Sequence, residues 1–68
     1  MTYRVKYHRG ETLVGEVEEA ATIEEARTLI DAKSAVMDFP AELAVIFRIS
    51  TLGIEDLEES RRLRPIQS

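Results

Sequence analysis

The sequence predicts a small α+β fold: a two-layer ββαβ(α) domain with a three-stranded, mainly antiparallel sheet, one long helix packed on one face and a short C-terminal helix. Three observations predict it. Apolar and polar side chains alternate near the N-terminus, a capping signature opens an amphipathic segment at Thr22, and Leu43–Ile49 is dense in apolar, β-branched residues. We expect a single domain over residues 1–64 and a flexible tail over 65–68.

The N-terminal segment predicts a β-hairpin. Between Thr2 and His8, apolar and charged side chains alternate, which is typical of a half-buried strand. Gly10 predicts the turn, and a second strand follows over residues 12–18. A three-residue loop or a five-residue loop assigns the same apolar side chains to one face. These are Tyr3, Val5, Tyr7, Leu13 and Val17, and we expect the long helix to cover them.

The segment from Thr22 predicts that helix. Thr22 and the acid three residues later fit a capping box, and acidic residues in the first turn suit the helix dipole. Four apolar residues share one stripe at helical spacing: Ile23, Ala26, Leu29 and Ile30. We expect the helix to end within residues 33–36, with Lys33 either frayed or extending its ammonium group from the rim of the core. Met37 and Phe39 are expected to close the bottom of the core.

The segment Leu43–Ile49 predicts the third strand, which is apolar on both faces. Because Phe47 is too large to leave in water, we expect it beneath the helix together with Val45 and Ile49. The first strand should then lie in the middle of the sheet, antiparallel to both neighbours, with the third strand at an edge.

Residues 54–63 predict a short helix. They are good helix formers, and their order, acids first and arginines last, matches a helix dipole. Only Ile54 and Leu57 supply an apolar side, so a further edge strand is the alternative.

Composition and charge exclude several classes of function. The chain has 68 residues, no cysteine and one histidine, which leaves no disulfide and argues against a structural metal site. Because so small a core gives little net stability, a partner subunit is the remaining means of stabilisation. The net charge of −4 argues against non-specific binding to nucleic acid or anionic lipid. With no membrane span and no signal peptide expected, we predict a cytoplasmic protein.

The open face of the predicted sheet combines apolar side chains with charged neighbours, the usual appearance of an interaction surface. The predicted contact residues are Val14, Ala44, Ile46 and Arg48. We therefore expect a non-catalytic protein-interaction or regulatory module that acts as a homodimer, through this face or the third-strand edge. No catalytic residue, cofactor, metal or small-molecule substrate is expected.

Two other classes of function remain as alternatives. A nucleic-acid-associated regulator would use the basic cluster Arg61, Arg62 and Arg64. An enzyme would use His8 as a general base, oriented by Glu16 or Glu18 of the neighbouring strand. Both rank below protein binding, because the chain is acidic overall and the sequence shows no Ser, Cys or Asp residue that converges on His8.

Overall fold

The strand β1 (Thr2–Arg9) is the one around which the sheet is built. The computed structural model describes residues 2–63, which form an antiparallel sheet of five strands and one helix. The other elements follow in chain order: β2 (Thr12–Leu13), β3 (Glu18–Ala20), α1 (Ile23–Ser34), β4 (Leu43–Ile49) and β5 (Glu55–Arg62). The predicted α+β class is confirmed, whereas the number of strands and the C-terminal element differ from the prediction.

As predicted, β1 lies inside the sheet and is antiparallel to its neighbours on both sides. Along one side it pairs with β4, from Thr2 opposite Ile49 to His8 opposite Leu43. Along the other side it pairs with β2 and β3, and β5 pairs with the far side of β4. The predicted edge position of β4 is therefore wrong, since this strand has a neighbour on each side.

The predicted second strand, residues 12–18, is broken into two short strands. Leu13 lies opposite His8 across a tight turn in which Gly10 has a φ of 62°. This register turns Leu13 away from the helix, and Val17 lies in the irregular segment before β3. Both side chains are about half exposed, at 52% for Leu13 and 47% for Val17. The prediction that the helix covers them is wrong.

The break in this strand is built around Gly15. Its φ is 71°, and a Cβ atom added there would lie 3.2 Å from the ring of Phe39. Only glycine satisfies both conditions without strain. Phe39 in turn packs edge-on against Tyr7, with ring centres 5.2 Å apart. Phe39 therefore closes the core as predicted, whereas Met37 is 90% exposed and does not.

The helix begins and ends where the sequence predicts. The Thr22 Oγ1 accepts a hydrogen bond of 3.1 Å from the backbone N–H of Glu25, as an N-cap should. Within the apolar stripe, Ala26 and Ile30 are buried, and Ile23 and Leu29 pack partly buried beside them. The helix ends at Ser34, and Lys33 extends its ammonium group over the ring of Phe39, 5.1 Å from the ring centre. Lys33 is therefore helical and sits at the rim of the core.

The core lies between α1 and the even-numbered side chains of β4. Val5 is opposite Ile46 and Tyr7 is opposite Ala44, and residues opposite each other in an antiparallel pair share a face. Ala44 and Ile46 are accordingly fully buried under the helix. Phe47 points to the other side of the sheet. The prediction that Phe47 and the other odd-numbered side chains of β4 lie beneath the helix is wrong.

Most of residues 54–63 form β5, so the predicted short helix is wrong and the alternative, an edge strand, is correct. Pairing with β4 supplies backbone hydrogen bonds along the whole segment, and this tertiary contribution overrides the helix propensity of its residues. A register shift next to Phe47 leaves Glu58 as an additional residue, a β-bulge.

Within residues 2–63, no helix is long and apolar enough to cross a membrane. The predicted flexible tail, residues 65–68, lies outside the described residues, and so does Arg64.

Candidate functional site

The helix-free face is the side of the sheet opposite to α1. The even-numbered side chains of β1 and the odd-numbered side chains of β4 point to it. From β5, the residues opposite these side chains of β4 join them: Glu55, Leu57, Ser60 and Arg62. Four apolar side chains of this face lie along β4 and a fifth lies beside Phe47 on β5: Leu43, Val45, Phe47, Ile49 and Leu57. We call these five residues the apolar row, and they are the candidate interaction surface.

Long cationic side chains cover the middle of the apolar row. The Lys6 ammonium group lies 4.9 Å from the centre of the Phe47 ring and 3.1 Å from the Glu55 carboxylate. Arg4 forms a second ion pair with Glu55. These hydrogen bonds, from Lys6 first and then Arg4, lower the pKa of the Glu55 carboxyl group. Val45, which lies opposite Lys6, is buried although no helix lies over it.

Leu57 is the most exposed member of the apolar row. It is 66% exposed, whereas the other four members are buried or half-buried. Leu57 also belongs to β5, the last strand of the described sheet. The apolar row therefore reaches the edge of the sheet at Leu57.

The open edge is the side of β5 that faces away from β4, where no described strand pairs. Six of the eight residues of β5 are charged, which is typical of edge strands. Four of them form ion pairs with other elements: Glu55 with Arg4 and Lys6, Glu58 with Arg48, Glu59 with Arg27, and Arg61 with Asp31. Asp56 and Arg62 form no ion pair within the described part of the chain, so their charges are available to a partner.

The four predicted contact residues do not form one surface. Ala44 and Ile46 are fully buried beneath α1, and Val14 packs half-buried against the same core. Arg48 is exposed on the helix side of the sheet, 3.8 Å from Glu58. The prediction places Ala44 and Ile46 on the open face of β4, whereas in the structure these two side chains lie on the face beneath α1.

The residues of the enzyme hypothesis are separated by the sheet. His8 is half-buried on the helix-free face, near the β1–β2 turn. Glu18 lies opposite Val5 on the helix side, where it accepts a hydrogen bond of 2.6 Å from the Tyr7 hydroxyl. Glu16 is exposed between β2 and β3. The structure therefore does not bring His8 and Glu18 together.

The residues of the nucleic-acid hypothesis are divided in the same way. Arg61 lies opposite Ala44 on the helix side and pairs with Asp31 of α1. Arg62 lies opposite Leu43 on the helix-free face. With Arg64 outside the described residues, the structure shows no basic patch formed by this cluster.

One ionisable group is buried in the core, and its surroundings account for it. Burial and then the nearby Glu18 carboxylate raise the pKa of the Tyr7 hydroxyl. Lys33 lies 3.9 Å from the same carboxylate. The Tyr7 hydroxyl thus has a hydrogen-bond acceptor and a nearby cation, so this cluster stabilises the fold and provides no free reactive group.

The order of charges in residues 55–62 is a sequence signal for the open edge. Acids followed by Arg61 and Arg62 suit a helix dipole, but the same order also suits antiparallel pairing of a strand with a second copy of itself. Among residues 2–63, no group of three or more His, Asp or Glu side chains is arranged to hold a metal ion. Comparison of the chain with protein-family models, curated proteins and solved structures found no match.

Proposed function

We propose that this chain is a small, non-catalytic protein-interaction or regulatory module of the cytoplasm that acts as a homodimer. The observation that carries the proposal is the position of Leu57, where the apolar row of the helix-free face reaches the open edge of the sheet. Exposed apolar surface beside unpaired backbone is the combination that protein partners bury.

The small size of the core supports a second subunit. Within residues 2–63, the buried cluster consists of eight residues, of which four are alanines: Val5, Tyr7, Ala20, Ala26, Ile30, Ala41, Ala44 and Ile46. Alanine buries little apolar area, so this cluster contributes less to stability than the same number of larger residues would. A second copy that binds the folded chain and not the unfolded chain would stabilise the fold further.

A pair of matched variants tests the proposal. Leu57→Ser removes the exposed leucine that lies both on the helix-free face and beside the open edge, so self-association through either surface should weaken. We expect the dimer dissociation constant to rise about tenfold, because each subunit loses part of a leucine contact. Leu52→Ser is the control, since Leu52 is 84% exposed in the β4–β5 turn and belongs to neither surface.

Sedimentation equilibrium of both variants and of the original chain gives the three dissociation constants. The proposal predicts that Leu52→Ser leaves the constant unchanged. Equal constants for Leu57→Ser and Leu52→Ser would contradict the location of the contact, and a monomer at all concentrations would contradict the proposed function itself.

A further inference from the structure

The order of charges along β5 is self-complementary. Four acids, Glu55, Asp56, Glu58 and Glu59, precede Arg61 and Arg62. When two copies of such a strand run antiparallel, the acidic half of each lies beside the basic half of the other. When they run parallel, like charges lie side by side and repel. The sequence of β5 therefore favours antiparallel pairing with a second β5.

Because of the bulge at Glu58, the acids of one copy and the arginines that they would meet in a second copy point to the same face of the sheet. Glu55 and Arg62 lie opposite Ile49 and Leu43, so both point to the helix-free face. On the helix side, Asp56 lies opposite Arg48 and Arg61 opposite Ala44. Opposite residues in an antiparallel pair must share a face. Glu55 can thus meet Arg62 of a second copy, and Asp56 can meet Arg61 of a second copy.

The backbone at the open edge has the matching orientation. Near one end of β5, the carbonyl group of Ile54 accepts a hydrogen bond from Ser50, and near the other end the N–H group of Leu63 donates to Glu42. Ile54 and Leu63 therefore turn these groups inward. Because successive residues in an antiparallel ladder alternate, the N–H and C=O groups of the adjacent residues Glu55 and Arg62 turn to the open edge.

We infer that two copies of this chain join by antiparallel pairing of β5 with β5 about a two-fold axis near Glu58, which extends the sheet across both subunits. The inference rests on the proposed function, because it names the surface by which the proposed homodimer forms. In this arrangement backbone groups and opposite charges are satisfied in one register. The two helix-free faces lie side by side and remain uncovered.

The charges near the axis are compatible with this arrangement. Glu58 and Glu59 of both copies approach one another there, which alone would be repulsive. Each is already paired within its own chain, Glu58 with Arg48 and Glu59 with Arg27 at 2.8 Å. Each carboxylate that meets at the axis therefore already has a cation beside it, while Asp56 and Arg62, which form no ion pair within residues 2–63, gain partners across the axis.

Isotope-filtered nuclear magnetic resonance on a mixture of labelled and unlabelled full-length chain tests the inference. The expected result is a set of intermolecular contacts along β5, including Hα of Asp56 to Hα of Arg61. A dimer whose intermolecular contacts come from Phe47 and Val45, with none along β5, would overturn the edge pairing and leave the proposed function intact. A monomer under all conditions would overturn both.

A charge reversal gives an independent test by sedimentation equilibrium. Arg62→Glu places a carboxylate opposite Glu55 of the second copy in two symmetric positions, so we expect the dissociation constant to rise about tenfold or more. Arg9→Glu makes the same charge change at an exposed site beside the β1–β2 turn and should leave the constant unchanged. Added salt should weaken the original dimer and reduce the difference between its dissociation constant and that of Arg62→Glu. Equal constants for both variants would refute the proposed register.

Discussion

Ile46 and Phe47 are adjacent in β4 and have opposite surroundings. Ile46 is fully buried between the sheet and α1, opposite Val5. Phe47 lies on the helix-free face, where the Lys6 side chain covers its ring. A large aromatic side chain thus finds cover from a long cationic one, and a helix is not required to shield it.

A matched pair of isoleucine truncations tests this assignment of faces. Ile46→Ala should reduce the free energy of unfolding by about 3 kcal/mol, because it leaves a cavity in the core. Ile49→Ala, on the helix-free face and half-buried, should cost only about 1 kcal/mol. Urea denaturation of both variants measures the two values. If Ile49→Ala proved the more costly change, the faces of β4 would be reversed.

The error in the predicted face of β4 has a physical origin. Along this strand both sets of alternate side chains are apolar, so alternation alone does not say which set is covered. Residue size favours Phe47, and with it the odd-numbered side chains, as the set beneath the helix. The structure shows that the space under α1 accepts Ala44 and Ile46 instead, because Tyr7 already fills the position opposite Ala44.

Tyr7 contributes to stability through its hydroxyl group as well as its ring. Tyr7→Phe removes the 2.6 Å hydrogen bond to Glu18 and should lower the free energy of unfolding by about 1 kcal/mol. The control is Tyr3→Phe, since the Tyr3 hydroxyl has no hydrogen bond within the described residues, and this change should be close to neutral. Thermal or urea unfolding compares the two. Equal effects would show that the bond to Glu18 adds no stability.

At the scale of elements, patterns within one segment were predicted well and those that depend on a neighbour were not. The limits of α1 follow from Thr22 and from the apolar stripe, both local features. Whether residues 54–63 form a helix or a strand depends on β4, because this segment pairs with the edge of β4 that faces away from β1. At Gly15, the close approach of the Phe39 ring, which is distant in sequence, leaves too little room for a side chain. Neither contact is visible in a local pattern.

The ion pairs that join β1 to β5 make stability depend on pH. Hydrogen bonds from Lys6 and Arg4 lower the pKa of Glu55 in the folded state. A lowered pKa means that the stabilisation is complete above the unfolded-state pKa of about 4.3 and is lost as the pH falls through the folded-state value. The melting temperature should therefore fall between about pH 5 and about pH 3.

Glu55→Gln should reduce the size of this fall, because the amide does not titrate. Glu59, whose pKa is lowered by Arg27, retains its own contribution in that variant. Glu11→Gln, at an exposed turn position, is the control and should follow the original profile. Melting curves across this pH range check the prediction, and identical profiles for Glu55→Gln and the original chain would contradict it.

At the scale of the whole molecule, the described domain has a helix on one face of its sheet and none on the other. The helix α1 shields one side of the sheet, while on the other side the Lys6 ammonium group lies over Phe47 of the apolar row. The sheet also ends at β5, a strand of eight residues with no neighbour beyond it in residues 2–63. A second copy would complete the sheet at this edge.

Chain length and composition predict a partner subunit, but they do not predict the surface that it binds. Predicting the open edge requires knowing that residues 55–62 form a strand and that Glu58 shifts its alternation. Both facts are set by pairing with β4. The predicted patch, by contrast, contains two core residues, Ala44 and Ile46, because the prediction places the odd-numbered side chains of β4 beneath the helix.

Sedimentation equilibrium at low salt measures the molar mass of the 68-residue chain in solution as a function of concentration, and so tests the homodimer directly. We expect a reversible change from the mass of one 7.7 kDa chain toward twice that mass as the concentration rises, with the transition moving to higher concentration when salt is added. A mass that stays at the single-chain value at every concentration would contradict the homodimer and, with it, the role assigned to the open edge of β5.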